Sequence, residues 1–180
     1  MKSEKQKMRS GQEYDPSDPE LVSDRARARG LCRRLNSEQE VHEDVRRALL
    51  PGAHPNARIS TPFYCDYGYN IELADGVYFN VNCVLLDICT IRVGANSLFG
   101  PGVHIYTVNH PLDAKRRRSG VETGAPVEIG RDVWIGGASV ICPGVEIGDA
   151  TVIGAGSVVT RSMPAGVLAA GNPCRVIRML

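Results

Sequence analysis

Val127-Glu128-Ile129-Gly130-Arg131-Asp132-Val133-Trp134-Ile135-Gly136-Gly137-Ala138-Ser139-Val140-Ile141-Cys142-Pro143-Gly144-Val145-Glu146-Ile147-Gly148-Asp149-Ala150-Thr151-Val152-Ile153-Gly154-Ala155-Gly156-Ser157-Val158-Val159-Thr160 repeats with a period of six. Ile129, Ile135, Ile141, Ile147, Ile153 and Val159 stand at identical intervals, and Gly130, Gly136, Gly148 and Gly154 each follow one of them. A further set of branched residues, Val133, Val140, Val145, Val152 and Val158, falls between. No helix has a period of six, and a plain strand repeats every two. A six-residue repeat is one short strand plus one bend, stacked many times into a parallel β-helix. The recurring aliphatic points toward the axis, and the glycine beside it accommodates the bend without a Cβ clash.

Outward from this stretch the spacing persists more weakly from about residue 59. Ile71, Val77 and Cys83 are six apart, as are Val93, Phe99 and Ile105. Between Cys83 and Val93 the phase slips by four residues, around Leu86-Asp87-Ile88-Cys89, and such irregularities often border sites. The pattern then stops from Tyr106 to Pro126: the positions that would point inward are Pro111, Arg117 and Thr123. Ile105 and Ile129 are separated by a multiple of six, so the prism resumes in phase after an extruded loop over 106–126. Long loops inside compact domains tend to be functional. Three strands per turn use about 18 residues, which predicts five or six turns.

Upstream, residues 1–14 are polar and read as loose chain. Ser17-Asp18-Pro19-Glu20 reads as a capping box with Ser17 as the cap. Leu21, Ala28, Leu31, Cys32 and Leu35 follow at helical spacing. Ser37-Glu38-Gln39-Glu40 reads as a second capping box, continued by Val41, Val45 and Leu49 and ended by Pro51-Gly52. Two short helices with one apolar face each do not make a stable domain, so they are expected to pack on the side or end of the prism. The division is a helical segment over 1–58 and a β-helix domain over 59–180.

The chain has 180 residues, 43% hydrophobic and 23% charged, with a formal net charge of +1. That length suits about one domain, and the charge points to neither nucleic acid nor an acidic membrane surface. Lys115-Arg116-Arg117-Arg118 is a short run that reads as a solvated loop. No stretch approaches the ~20 apolar residues of a membrane span, and Met1-Lys2-Ser3-Glu4-Lys5 is no targeting segment. Cys32, Cys65, Cys83, Cys89, Cys142 and Cys174 form no CxxC pair and read as reduced thiols of a cytoplasmic protein.

His110 is the strongest catalytic candidate. It stands where a regular wall ends and a loop begins, and imidazole in general can take a proton from an attacking alcohol near neutral pH. His104, one period earlier, reads as a wall residue; His42 and His54 have no context. His104 and His110 fall on different faces and lack a third ligand, so no metal site is expected. Asp66, Asn80 and Asp87 are polar among apolar repeat neighbours. They read either as turn residues or as a polar pocket for hydroxyl groups. Trp134 either covers an apolar gap or offers a flat surface to a ligand.

Taken together, these stretches resemble the maltose and galactoside O-acetyltransferases. The resemblance rests on Gly11-Gln12-Glu13-Tyr14 through Leu35-Asn36, on Cys65-Asp66-Tyr67-Gly68-Tyr69-Asn70-Ile71, and on Phe79-Asn80-Val81-Asn82-Cys83 through Leu86-Asp87. It also rests on Ile105-Tyr106-Thr107 with His110-Pro111-Leu112-Asp113, on Val133-Trp134-Ile135-Gly136-Gly137, and on Gly171-Asn172-Pro173-Cys174-Arg175-Val176-Ile177-Arg178. It implies a left-handed parallel β-helix, which inverts the usual crossover hand, and a cytoplasmic homotrimer with each site between two prisms. It implies transfer of acetyl from acetyl-CoA to a sugar hydroxyl, with His110 as general base and no acetyl-enzyme. Asp66, Asn80 and Asp87 match acceptor-binding positions, and Asp15 does so after a one-residue adjustment. Gly137, Ala155, Thr160, Arg161, Arg175 and Arg178 match positions lining the acetyl-CoA channel, beside Trp134. Gly137 stands where galactoside enzymes carry serine, which points to the maltose-type branch. A zinc hydro-lyase and a non-catalytic scaffold are the alternatives on the same fold.

Overall fold

The computed structural model describes residues 2–37 and 43–180. Glu38, Gln39 and Glu40 of the second capping box, with Val41 and His42, lie outside the described residues. The rest of the chain winds into a left-handed parallel β-helix of just under six turns, preceded by three helices. The first face stacks Gly52–Ala53, Ile71–Leu73, Ile91–Val93, Val127–Ile129 and Glu146–Ile147. The second stacks Arg58–Ile59, Tyr78–Phe79, Leu98–Phe99, Trp134–Ile135, Val152–Ile153 and Val167–Gly171. It is closed by the antiparallel strand Cys174–Met179. The third stacks Phe63–Cys65, Cys83–Leu86, His104–Tyr106, Val140–Ile141 and Val158–Val159.

Each side of the prism sends two residues inward, the aliphatic and the residue two before it. Ile135 and Val133 are both buried, as are Ile147 and Val145. Elsewhere the second inward position is a small hydroxyl satisfied by a carbonyl: Ser139 donates to Gly136 O (2.7 Å) and Thr151 to Pro164 O (2.7 Å). The intermediate branched set therefore splits, because Val140, Val152 and Val158 sit one residue before the aliphatic and face outward. The same rule corrects the phase slip. Ile71, Val77 and Cys83 occupy the earlier inward position, whereas Val93, Phe99 and Ile105 occupy the later one. The true slip is two residues, and it occurs twice: Cys65 to Leu73 and Leu85 to Val93 each span eight. The early coils are accordingly twenty residues long (Arg58 pairs with Tyr78, Tyr78 with Leu98), and only the later ones are eighteen (Trp134 with Val152).

The bend is made three residues after the aliphatic, not one. Asn96, Asp132, Ala138 and Ala150 hold left-handed φ angles of 60°, 56°, 57° and 54°. The glycine directly after the aliphatic answers a different constraint, the closeness of the next coil. A Cβ on Gly136 would lie 2.4 Å from the backbone nitrogen of Ala155.

Helix α1, Glu4–Arg9, lies in the stretch expected to be loose. Ser3 and Gln6 cap it reciprocally, and Met8 is fully buried. Helix α2, Pro19–Ser37, is capped by Asp18, whose carboxylate accepts from Glu20 N (3.0 Å); the Ser17 hydroxyl instead donates to Asp15 (2.7 Å). Helix α3, Glu43–Leu49, ends just before the first coil. Ala28, Cys32, Leu35, Val45 and Leu49 join Ile59, Phe63 and Phe79 in one apolar core, so the helices seal the open end of the prism.

Two substitutions separate the torsional from the steric role of the small residues. Gly136→Ala is expected to cost about 1–3 kcal/mol, because backbone must shift. Ala150→Gly, which relieves a left-handed alanine, is expected to be neutral or to stabilise by up to about 1 kcal/mol. Urea denaturation of both proteins reads the pair; equal effects would refute the distinction.

Candidate active site

The irregularities of the coil all fall at one edge, where the third face turns into the first. In the first two coils this edge holds the enlarged corners Asp66–Asn70 and Asp87–Thr90, and in the third it releases the 106–126 loop. The loop is a built structure. Val108–Asn109 pairs antiparallel with Thr123–Gly124, and helix α4, Ala114–Arg118, lies between them with the Asp113 side chain accepting from Arg116 N (2.8 Å). The basic run expected as loop is this short exposed helix.

Thr107 anchors the root of the loop. Its buried hydroxyl donates to Leu86 O (2.7 Å) and accepts from Cys89 N (3.0 Å), while Ala125 N donates to Thr107 O (2.9 Å). The N-terminal segment straps the loop from outside. Tyr14 and Glu122 exchange backbone hydrogen bonds (3.0 and 3.2 Å), the Tyr14 hydroxyl donates to the Glu122 carboxylate, and Arg116 pairs with Glu13.

Corner, loop and helix α2 enclose a cavity of about 560 Å³. His110 lies at its edge, exposed, on the residue after the strand Val108–Asn109. Asp66 and Glu122 supply carboxylates, Arg25 and Arg29 supply guanidiniums, and Leu86, Ile88 and Val108 form an apolar wall. Burial, then the Glu122 charge, raises the Asp66 carboxyl above its ordinary range, with Arg25 and Arg29 opposing. Arg25 is fixed by bonds to the Tyr67 hydroxyl (2.6 Å) and Pro16 O (2.6 Å). Burial pushes the Tyr67 phenol up to about 12.

Asp87 is not among the residues lining this cavity. It is fully buried. One oxygen accepts from Asp66 N (3.0 Å) and Tyr67 N (2.9 Å), and the other from Gly68 N (2.7 Å) and Asn70 N (3.4 Å). Burial pushes its carboxyl up to about 7, and the amide bonds pull the other way. Its work is to hold the corner that presents Asp66. Asp15 accepts from Ser17 N (2.8 Å) in a tight turn and is not among the lining residues.

Most of the remaining candidates lie elsewhere on the single chain, while Thr160 and Arg161 share the third-to-first edge two coils beyond the loop. Asn80 sits at the turn from second to third face and accepts from Val81 N (2.8 Å). Gly137 and Ala155 stack on that same edge in successive coils, joined by the Gly156 N bond to Gly137 O (2.9 Å). Thr160 and Arg161 follow the strand Val158–Val159 and are exposed. Arg175 and Arg178 lie on the closing strand, and Trp134 projects from the second face, 57% exposed. Trp134 therefore covers no gap in the interior. His104 is a wall residue, its Nδ1 2.6 Å from the Tyr106 hydroxyl. Among the described residues no group of three or more His, Cys, Asp or Glu is placed to hold a metal ion.

Sequence reading did not find Glu122, Arg25, Arg29 or Tyr14. Arg25 and Arg29 carried a usable signal, being one turn apart on a helix beside Val22. Glu122 carried none, because its position depends on a bridge to Tyr14 more than a hundred residues away.

Comparison with known proteins gives a consistent picture. Residues 7–51 match the family model for the maltose acetyltransferase hexapeptide capping motif, and residues 126–161 match that for the bacterial transferase hexapeptide (six repeats). Nodulation protein L of Rhizobium meliloti is 43% identical over 180 residues, covering 97% of this chain and 98% of its own. The crystal structure of a maltose O-acetyltransferase from Clostridium difficile 630 superposes with a TM-score of 0.96 at 44% identity, covering 99% of this chain and 98% of that one. A galactoside acetyltransferase solved in complex with coenzyme A gives 0.94 at 35% identity, covering 99% and 92%.

Asp87→Ala strands buried amide donors at the corner. It is expected to destabilise the protein by more than about 3 kcal/mol, read by chemical denaturation. A loss below about 1 kcal/mol would mean that the corner holds itself.

Proposed function

The chain belongs to the hexapeptide-repeat acetyltransferases that carry the maltose acetyltransferase capping motif, and from that premise we propose that it moves the acetyl group of acetyl-CoA to a hydroxyl of a sugar such as maltose, glucose or a galactoside. The observation that carries this reading is the cavity in which His110 meets Asp66 and Glu122 across an apolar wall. A pyranose ring has the same division, with hydroxyls at its rim and C–H groups on its faces, and sites for such ligands combine apolar walls with a few placed polar groups. In this reading Asp66 and Glu122 accept hydrogen bonds from acceptor hydroxyls, and His110 takes the proton of the hydroxyl that attacks the thioester carbonyl. The same proton then serves the departing CoA thiolate, so no acetyl-enzyme is needed.

The donor reading rests on different residues. Arg161, Arg175 and Arg178 suit the phosphates of CoA, because guanidinium pairs bidentately with phosphate oxygens. In this reading the narrow pantetheine arm runs along the edge where Gly137 and Ala155, both small, stack in successive coils, with exposed Trp134 as a flat contact. Asn80, Gly137, Ala155, Trp134, Arg175 and Arg178 stand away from the His110 edge within one chain, and Arg161 lies on that edge two coils further on. The proposal therefore includes a cyclic homotrimer in which a neighbour's donor groove faces the acceptor cavity. Exposed Leu98, Trp134, Ile177 and Met179 supply apolar surface for that contact. In this scheme segment 1–58 walls the acceptor cavity, and 59–180 carries base and donor groove. The six free thiols agree with a cytoplasmic setting.

Steady-state kinetics with a thiol-release assay over a panel of sugars and simple alcohols tests the reading. His110→Ala is expected to lower kcat by ~10²–10⁴ with the assembly intact; near wild-type turnover would end its assignment as base. Arg178→Ala is expected to raise KM for acetyl-CoA while leaving KM for the acceptor unchanged, and an unaltered acetyl-CoA KM would remove Arg178 from the donor site.

A further inference from the structure

Cys32 and Cys65 belong to different parts of the molecule, helix α2 and the strand Phe63–Cys65, yet their sulfurs lie 3.9 Å apart. Both are buried, and both line a second cavity of about 370 Å³ together with Arg29, Arg33, Asn36 and Tyr64. We infer that Cys32 and Cys65 form a peroxide-responsive dithiol site that closes reversibly to a disulfide between helix α2 and the prism.

The geometry is prepared for that bond. Asn36, one turn after Cys32, clasps Phe63, two residues before Cys65: its side-chain amide donates to Phe63 O (3.0 Å), and its oxygen accepts from Phe63 N (2.9 Å). The two segments are therefore held in fixed alignment on either side of the thiols. A disulfide needs sulfurs about 2.05 Å apart, so closure asks for about 2 Å of sulfur travel, within reach of side-chain rotation. Two of the three other buried thiols are engaged differently, Cys89 with Met8 O (3.2 Å) and Cys83 with Gly100 O (3.5 Å).

The two thiols are also unequal. The hydrogen bond between them lowers the Cys32 thiol, and the same bond together with burial raises Cys65. The thiolate is the nucleophile in such chemistry. Cys32 sulfur attacks one oxygen of hydrogen peroxide; the S–O bond forms, the O–O bond breaks, and the leaving hydroxide departs as water with a proton. The Cys65 sulfur then attacks the Cys32 sulfenic acid. The S–S bond forms, the S–O bond breaks, and the hydroxyl leaves as water with the Cys65 proton. Two thiols are oxidised, and one peroxide is reduced to two waters.

Cys65 precedes Asp66, and Arg29 lines both cavities. Any effect of the disulfide on acceptor binding rests on the function proposed above; formation of the bond does not.

The test is peptide mapping of the full chain. Reduced protein is treated with a small excess of hydrogen peroxide, its remaining thiols are alkylated in denaturant, and digests are read by mass spectrometry. The expected result is a Cys32–Cys65 linked peptide as the dominant oxidation product, formed before the other four cysteines react and removed by dithiothreitol. In Cys65→Ser, dimedone should trap Cys32 as its sulfenic acid. Recovery of Cys32 and Cys65 as alkylated thiols at peroxide doses that oxidise other cysteines would overturn the inference, as would Cys32 joined elsewhere. Should Cys65→Ser fail to fold, the map of the unmodified chain decides alone. Because the readout is mass, it is independent of whether the protein acetylates sugars.

Discussion

Each coil of the prism is hydrogen-bonded to the coil before and after it at the spacing of neighbouring strands, about 4.8 Å. Everything that protrudes from one coil must fit against the next within that distance. Gly136 is small because the nitrogen of Ala155 lies where its Cβ would be, and Gly130 and Gly148 meet backbone of the following coil in the same way. Inward polar residues survive only where a carbonyl of the stack is within reach, as at Ser97, whose hydroxyl donates to Gly130 O (2.8 Å). The faces then differ only in what points outward. The first is a charged ladder in which Arg92 bridges Glu72 (2.8 Å) and Glu128 (2.9 Å), whereas the second shows Leu98 and Trp134.

The cavity beside His110 comes from breaking the repeat. The break is made at one edge, and its cost is held down by polar groups that would otherwise be orphaned. Four amides of the enlarged Asp66–Asn70 corner converge on Asp87, and the next corner receives Thr107. A buried carboxylate is expensive unless its lone pairs are taken; here the bonds that take them also aim Asp66 at the cavity. The candidate base leaves the prism on the loop rooted at Thr107, and the N-terminal strap through Tyr14 fixes where the returning limb carries Glu122.

The helices are therefore part of the site as well as a plug. Their apolar residues close the first coil, which would otherwise expose Phe63 and Ile59. Their polar side brings Arg25 and Arg29 over the corner, and Asn36 pins α2 to the third face. The same clamp sets the two sulfurs of Cys32 and Cys65 face to face.

The period of six alone determined the solenoid, its axis-facing aliphatics and the excursion at 106–126, because burial on a stacked coil repeats with the chain. It also singled out His110, the first histidine after the repeat breaks. Local rules reached less far at the N-terminus. Ser3 and Gln6 spell a capping box within residues that looked merely polar, and Ser17 matches a capping pattern while Asp18 does the capping. Tertiary structure decided the division of labour among the acidic residues. Asp66 and Asp87 look alike in sequence, yet one lines the cavity and the other is consumed by backbone amides, since coil stacking puts Asp87 directly behind the corner of the preceding turn. It also decided the partners of Glu122 and of Cys32, which come from segments distant along the chain. Periodicity encodes what a residue faces across one coil; only the closed packing of helix, loop and prism encodes what it touches.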